Sequence, residues 1–469
     1  MPIPMMAAAL AAMAIVSQDS AQLRAAPRES AQQQALLWQG DSLEIRAEKG
    51  DYLQVYDHRR ERAGYIRATQ VRQVSFKPAD APDLLSVLRF VRDTPGAEAL
   101  GIAYAAAYLK AAPAAAIDAE PFDALGAMAE RLARRASSKQ GKAQDAVLSA
   151  HLEVAANYGV TMRGYEHDGR IQLCYDGDAF RRALALRADP QQQARAALAL
   201  TRPECLDPDQ RPAERYAVDL WRAELLDKVE LRALPAHLKN RVHMRRAAVW
   251  SALAFARARK NEPAQVAAER ALTELGSVTK IDLADDDLAA YADAGVRAGS
   301  VRWAAEPAVS QVAGLHVLTK PGQPGETCVS LFGQNGPALA TRCTYGIVWA
   351  ASARANSKGS ALALAVQPMA AWRELWVFQQ DGSGWRVDVL PPAASEPDVG
   401  YAEFAGWVPG MAKMLVVREA RVDGRYRRSF EVLSLESLAV EIWADRPLAV
   451  TLFNRWQDPA WQRQTVSLR

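Results

Sequence analysis

The spacing of apolar residues changes twice along this chain, and each spacing fits one kind of secondary structure. Up to about residue 76, apolar and polar residues alternate, as at Leu43 and Ile45, which is the period of a half-buried strand. An alanine-rich stretch with helical spacing follows, and then short strand-like runs separated by turns. The sequence therefore predicts a multidomain α+β protein with three parts: a small β-barrel at 15–76, an all-α helical array at 82–306 and an all-β domain at 309–469.

Composition and net charge indicate which classes of protein and of binding partner to exclude. Half of the 469 residues are apolar and 24% are charged, which excludes a largely disordered chain. The 57 basic and 54 acidic residues leave a net charge of +3, spread without blocks. The chain lacks the basic footprint of a nucleic-acid-binding protein, and we expect no nucleic acid among its partners.

The N-terminus has the pattern of a secretory signal. Residues 4–16 are uncharged and apolar, and as a helix they would reach about 20 Å, short of the ~30 Å hydrocarbon core of a membrane. Ala12-Met13-Ala14 supplies an A-x-A cleavage pattern. We therefore predict a signal peptide at 1–14, a mature chain in which Ile15 opens the first strand, and no membrane span after removal. An ordinary buried N-terminal segment is the alternative.

Two of the four cysteines flank a predicted β-hairpin. Cys328 and Cys343 lie symmetrically about Asn335-Gly336, which is a strong turn signal. They are therefore expected to face each other across two strands, within disulfide range.

The other two cysteines flank a predicted helical hairpin. Cys174 and Cys205 lie at the outer ends of two antiparallel helices expected at 178–187 and 190–201. Two disulfides would require maturation in an oxidising compartment, so we predict a periplasmic or secreted protein.

Four short motifs stand in order in the N-terminal segment: Leu23-Arg24-Ala25-Ala26-Pro27, Gly40 to Ile45, Gly50 to Val55 and Gly64-Tyr65-Ile66. In order and spacing they resemble the bacterial SH3 family, whose pattern runs L-x-V-R-x-x-P, G-x-x-x-x-V, G-x-W-x-x-V and G-W-V. The resemblance implies an SH3-like β-barrel over residues 18–76 and a non-catalytic binding module, in that family often directed at peptidoglycan or peptides. Tyr52 and Tyr65 stand where the family usually carries tryptophan.

Aromatic and basic residues of this segment form the candidate binding site. The tyrosines lie on neighbouring predicted strands, near a hairpin tip that runs from Arg59 to Arg62. We predict a shallow aromatic groove with a cationic edge, suited to anionic peptidoglycan fragments or peptides, and formed by Tyr52, Tyr56, Arg60, Arg62 and Tyr65. The alternative is that the rings pack inward, because so small a barrel has few other large apolar groups.

The helical array is similar to a tetratricopeptide repeat in one place. The small and aromatic positions of that pattern are occupied by Ala252, Phe255, Ala264 and Ala271. No second clear copy is found in the sequence, so irregular helix hairpins stay an equal alternative.

The C-terminal segment contains two similar stretches about 55 residues apart. They begin near Tyr345 and Tyr401, and each is predicted to form a four-stranded meander similar to a β-propeller blade. Because propellers generally need at least four blades, the prediction is a partial propeller or a β-sandwich. The alternating Trp372, Trp376 and Trp385 are interpreted as core between sheets.

Patterns for catalysis and metal binding are sparse. The six histidines form neither H-E-x-x-H nor a zinc spacing with cysteine, and no G-x-S-x-G, P-loop or dinucleotide motif occurs. We expect no metal and no cofactor. The enzymatic alternative is a cell-wall hydrolase with Cys174 or Cys205 as nucleophile and His151 or His167 as base, which requires a free thiol.

These observations together predict an exported, non-catalytic scaffold or binding adaptor of the bacterial cell envelope. Its expected partner is peptidoglycan or an envelope protein or peptide.

Overall fold

The computed structural model describes residues 12–138, 142–167, 170–307, 314–395, 397–459 and 461–462. It has the expected α+β multidomain layout, with an N-terminal antiparallel sheet, central helices and a C-terminal region rich in sheet. Contacts divide the chain into two compact units: unit 1 comprises residues 1–210 with 229–234, and unit 2 comprises 211–228 with 235–469. The predicted helical array at 82–306 is therefore divided between the two units. Contacts in the structure assign its helices to units differently from the composition of the sequence.

Unit 1 begins with a seven-stranded antiparallel sheet in the order β3-β2-β6-β5-β4-β1-β7. Its strands are β1 (Met13–Val16), β2 (Ala21–Arg24), β3 (Gln33–Leu37), β4 (Ser42–Lys49), β5 (Tyr52–Asp57), β6 (Arg62–Arg67) and β7 (Val71–Val74). Alternate residues of these strands share one buried face, and that core is mostly aliphatic, with Leu23, Leu37, Leu43, Leu53, Val55 and Ile66 at its centre. The alternation at Leu53 and Val55 is the pattern seen in the sequence.

The predicted cleavage point lies inside β1. This strand pairs with β4 on one side and with β7 on the other, and Ala14 is fully buried. A cut after Ala14 would therefore remove two of the four residues of a strand that is paired on both sides. The signal peptide at 1–14 stays a prediction. Residues 1–11 of the predicted signal lie outside the described residues.

Six α-helices and one hairpin follow in the part of unit 1 that the structure describes. The helices are α1 (Ala81–Arg92), α2 (Glu98–Ala111), α3 (Glu120–Ser137), α4 (Lys142–Asn157), α5 (Asp178–Ala185) and α6 (Pro190–Leu200). The hairpin consists of β8 (Met162–His167) and β9 (Arg170–Tyr175), an unpredicted element in a region expected to be all helical. The sequence signal for this hairpin is the dipeptide Asp168-Gly169, which is typical of two-residue hairpin turns and is flanked by alternating apolar and polar residues.

Both disulfides join the predicted partners. Cys174 of β9 is bonded to Cys205 with a Cα–Cα distance of 5.7 Å, and α5 and α6 pack together between them. Asp189 caps α6 by accepting a hydrogen bond from the backbone N–H of Gln192, which is why the chain restarts a helix there. The two disulfides are consistent with an exported protein.

Unit 2 contains the remaining longer helices, α7 (Pro212–Asp227), α8 (Ala236–Arg259), α9 (Gln265–Gly276) and α10 (Leu288–Val301). Small residues such as Ala247, Ala271 and Ala298 lie at the contacts among α8, α9 and α10, so these helices approach closely. No helix in the described part of the chain is both long and apolar enough to cross a membrane.

The sheet region of unit 2 contains the two predicted meanders. The first is β13 (Ile347–Ala355), β14 (Ala361–Met369), β15 (Trp372–Asp381) and β16 (Gly384–Leu390), and the second is β17 (Gly400–Val408), β18 (Lys413–Val422), β19 (Arg425–Ser434) and β20 (Val440–Ala444). A short parallel pairing between β15 and β17 joins them. A three-stranded sheet precedes them, with β10 (His316–Pro321), β11 (Thr327–Phe332) and β12 (Ala340–Thr344), and α11 (Thr451–Trp456) follows.

The second disulfide lies in the three-stranded sheet. Cys328 of β11 and Cys343 of β12 are directly paired in register and bonded to each other, as the hairpin geometry predicted.

The three-stranded sheet and the two meanders of the eight-stranded sheet stack face to face, because side chains alternate along each strand. On β14, Leu362 and Leu364 face the three-stranded sheet, whereas Ala363 faces the second meander. The far face of the second meander packs on α11 through Phe453. Trp372 and Trp376 are each 2% exposed, in agreement with their interpretation as core. Sheet packed on sheet is common to both predicted alternatives, the sandwich and the partial propeller.

Candidate functional site

The three predicted tyrosines lie on the outer face of the N-terminal sheet. On β5, Leu53 and Val55 point into the core, so Tyr52, Gln54 and Tyr56 point to the opposite face. Tyr65 of β6 is paired directly with Gln54 and is therefore a diagonal neighbour of both other tyrosines. Tyr56 and Tyr65 lie outside the aliphatic core of the sheet, whereas Tyr52 is buried.

Basic side chains surround these rings. Arg67 is paired with Tyr52, Arg24 with Tyr65 and Lys49 with Tyr52 across neighbouring strands. The guanidinium of Arg67 lies 5.6 Å from the centre of the Tyr52 ring, and that of Arg46 lies 5.5 Å from the Tyr56 ring, within range of a cation–π interaction. We call this surface the tyrosine face and define it by Arg24, Arg46, Lys49, Tyr52, Gln54, Tyr56, Tyr65 and Arg67.

The three tyrosine rings differ in how much of their surface a ligand can reach. Tyr52 is only 7% exposed, whereas Tyr56 and Tyr65 are half-buried and present part of their rings to solvent. Glu44, opposite Tyr56, accepts hydrogen bonds from Arg46 at 2.9 Å and from His58 at 2.6 Å. The accessible part of the tyrosine face is therefore Tyr56 and Tyr65 with their basic neighbours.

Arg60 does not contribute to this face. Its guanidinium donates to Asp57 at 2.7 Å and to Asp41 at 3.3 Å, and these two carboxylates are 2% and 4% exposed. The backbone N–H of Arg60 also donates to Asp57, which fixes the turn. Arg60 thus supplies the counter-charge for two buried acids.

Arg62 lies on the opposite side of the sheet from the tyrosines. It is paired with Asp57, and both belong to the set of alternate residues that includes Val55 and Leu53. The exposed guanidinium of Arg62 donates to the backbone carbonyl of Gln34. The structure therefore brings the tyrosines together but separates them from both predicted arginines.

The cationic edge comes instead from residues that sequence reasoning missed, namely Arg24, Arg46, Lys49 and Arg67. The alternation along β5 and β6 placed Arg67 on the side of Tyr65, so a signal for it existed. A bulge in β4 between Ile45 and Ala47 puts Arg46 over the Tyr56 ring, and no sequence pattern indicated that bulge.

The loops at one end of the sheet are bound to helices of unit 1. Nε2 of His151 on α4 lies 2.8 Å from Asp19, Tyr158 donates to the carbonyl of Gly40 at 2.7 Å, and Arg59 forms an ion pair with Glu153. Burial favours a higher pKa for Asp19, but the hydrogen bond and charge of His151 outweigh it and hold that pKa below its ordinary value. His151 is 1% exposed and is a structural partner of Asp19.

The residues of the enzymatic alternative do not form a nucleophilic site. Cys174 and Cys205 are bonded to each other, so neither sulfur is available as a thiolate. His151 is bound to Asp19, and the side chain of His167 lies outside the described residues.

One group of described residues places three potential metal ligands within 4.8 Å of one another: Glu326, Cys328 and Cys343. The disulfide between the two cysteines leaves Glu326 as the ionisable ligand of the three.

Comparisons with family models, curated proteins and solved structures find no match for this chain. The resemblance of residues 18–76 to the bacterial SH3 family therefore depends on its motifs alone.

Proposed function

We propose that this protein is an exported, non-catalytic binding adaptor of the bacterial cell envelope, periplasmic or secreted, and that its tyrosine face binds the peptide stems of peptidoglycan. The observation that carries the proposal is the position of Tyr56 and Tyr65 on one partly open sheet face among four basic side chains. The resemblance to the bacterial SH3 family supports the same ligand class.

The chemistry of the face fits a peptide that carries carboxylates. Tyrosine rings bury apolar area at low entropy cost and keep a hydroxyl for a polar contact, and arginine binds a carboxylate through two parallel hydrogen bonds. Glu44 is the one acidic residue among the strand positions that border Tyr56, and it already accepts from Arg46 and His58. A peptide stem with free carboxylates would complement this charge.

The test uses the full chain and purified sacculi, with co-sedimentation as the measurement. The double variant Tyr65→Ala/Arg46→Ala removes one aromatic and one basic side chain from the tyrosine face. We expect its apparent affinity to fall at least about tenfold, as expected when two central contacts are truncated, while its melting temperature stays near that of the wild type.

The matched control is Tyr165→Ala/Arg62→Ala. It also removes one half-buried tyrosine and one exposed arginine from unit 1, but neither belongs to the tyrosine face. It should sediment like the wild type. A wild-type chain that never sediments, or equal losses in both double variants, would contradict the proposal.

A further inference from the structure

A small cavity, partly open to solvent, lies in unit 2 between the two meanders. The parallel strands β15 and β17 pair only at Trp372 with Gly400 and at Arg373 with Tyr401. Beyond these pairs, Leu375 of β15 and Phe404 of β17 line the opening. Further walls come from β13, from the short 3-10 helix that follows α10, and from Asp458 and Trp461. The cavity is separate from the tyrosine face, which belongs to unit 1.

Two buried arginines of the cavity share one carboxylate. Arg302 and Arg373 are 3% and 1% exposed, and Glu403 between them is 5% exposed. Arg302 forms an ion pair with Glu403, and Arg373 lies 3.4 Å from the other oxygen of the same carboxylate. Arg373 also donates to the carbonyl of Gly299 at 2.6 Å. This pair of cations is therefore fixed by the protein.

A third arginine lines the same cavity and makes hydrogen bonds to the backbone. Nη1 of Arg354 on β13 donates to the carbonyls of Ala351 at 3.0 Å and Ala353 at 2.8 Å. Within the described residues Arg354 forms no ion pair with a carboxylate, and its guanidinium lies 5.7 Å from the ring of Trp303. Because Nη1 takes both backbone contacts, Nε and Nη2 can donate to another acceptor.

The charge of the lining favours a monoanion. Three arginines line the cavity, together with the carboxylates of Glu403 and Asp458, which leaves one positive charge in excess. Glu306 lies nearby but outside the lining, and burial raises its pKa despite the opposing charges of Arg302 and Arg354. Removing a charge from water is costly unless it is paired, and a bound anion would supply the pair.

We propose that this cavity binds the carboxylate of a small organic acid, with Arg354 as its ion-pair partner. The two free N–H directions of a guanidinium match the two oxygens of a planar carboxylate. Trp303 and Trp461, which are 8% and 4% exposed, provide flat apolar walls for the carbon chain. The proposal does not depend on the function of the tyrosine face.

Thermal unfolding of the full chain at constant ionic strength tests this site, with acetate as the probe. A ligand that binds only the folded state raises the melting temperature in a saturable way. We expect acetate to do so, while acetamide, its neutral analogue, and chloride do not. Arg354→Gln should weaken the apparent affinity for acetate at least about tenfold, because the charge-assisted hydrogen bonds are lost.

The matched control is Arg342→Gln. Arg342 also lies over a tryptophan, 5.2 Å from the Trp376 ring, and also donates to a backbone carbonyl, that of Val387. It lies outside the cavity, so its replacement should leave the acetate response unchanged.

Three results would overturn the proposal: no saturable response to acetate, an equal response to acetamide or chloride, or an undiminished response in Arg354→Gln. Should Arg354→Gln fail to fold, Arg354→Lys replaces it, since lysine keeps the charge without the planar fork. Saturation-transfer NMR of acetate on the wild-type chain, compared with acetamide, then decides the question independently of any variant.

Discussion

At the scale of single residues, Arg60 is a basic side chain whose contacts stabilise the fold. The turn between β5 and β6 contains two arginines, Arg59 and Arg60, and their position at a hairpin tip favours the hypothesis of ligand binding. Instead Arg60 lies between Asp41 and Asp57, whose carboxylates are nearly inaccessible. Removing a counter-charge from two buried acids is strongly unfavourable. The guanidinium of Arg60 therefore stabilises the fold.

We predict that Arg60→Ala lowers the free energy of unfolding by about 2 kcal/mol, because buried Asp57 loses its ion pair with Arg60 and buried Asp41 keeps the ion pair with Arg59 at 3.6 Å. The value is below that of a fully buried pair, since a quarter of the Arg60 side chain is exposed. Arg62→Ala, which removes an exposed side chain bound to one backbone carbonyl, should cost less than about 0.5 kcal/mol. Urea unfolding of both variants measures the difference, and equal costs would contradict the assignment.

At the scale of elements, β1 shows how an apolar N-terminal stretch can be part of a sheet. Its residues alternate between two packing environments: Ala14 and Val16 contact the core of the sheet, whereas Ile15 packs with α1 and α2. Both edges of β1 are hydrogen-bonded to neighbours. The small and apolar residues of β1 are therefore compatible with a buried strand as well as with the end of a signal peptide.

We predict that a chain starting at Ile15 is less stable than one starting at Ala12 by about 2 kcal/mol or more. Removing residues 12–14 deletes backbone hydrogen bonds, among them the one that Ile45 N–H donates to the carbonyl of Ala12, each worth about 0.5–1.5 kcal/mol, and the buried methyl of Ala14. Chemical unfolding of the two truncated chains compares them directly. N-terminal sequencing of exported protein should then find Met13 still present, and a mature N-terminus at Ile15 would count against this prediction.

At the scale of the whole molecule, the N-terminal sheet is joined to helices rather than separated from them by a linker. Gly40 adopts φ +92°, and a Cβ there would lie 2.6 Å from the carbonyl oxygen of Ala99 on α2, so the loop and the helix are in close contact. Gln39 donates to the carbonyl of Gly96, and His151 of α4 is bound to Asp19. The sheet and the helices of unit 1 therefore stabilise each other.

We predict that the fragment 12–76 melts at a lower temperature than the fragment 12–210, because the shorter one exposes the side chains that pack on α1, α2 and α4. Circular dichroism of the two fragments measures this, with hydrogen exchange of the β5 and β6 amides as the common probe. Equal melting temperatures and equal protection would show that the sheet folds independently of the helices. This dependence is also why the sacculus experiment requires the full chain.

The sequence by itself determined the features that depend on neighbours along the chain. The strand runs of both meanders, the limits of α5 and α6 to within two residues, and both disulfide partners all follow from local periodicity, caps and turns. Even the missed hairpin β8–β9 carried its signal, Asp168-Gly169.

Only the tertiary structure decided which residues share a surface. Alternation along β6 already separates Arg62 from Tyr65. Only the packing shows that Asp41 and Asp57 hold Arg60 away from the tyrosines and that a bulge in β4 brings Arg46 to them. The distribution of the helices between two units, and the meeting of Arg302, Arg354 and Glu403 in one cavity, join residues far apart in the chain. Such contacts depend on how completed elements pack against each other, and a pattern read over a few neighbouring residues carries no information about that packing.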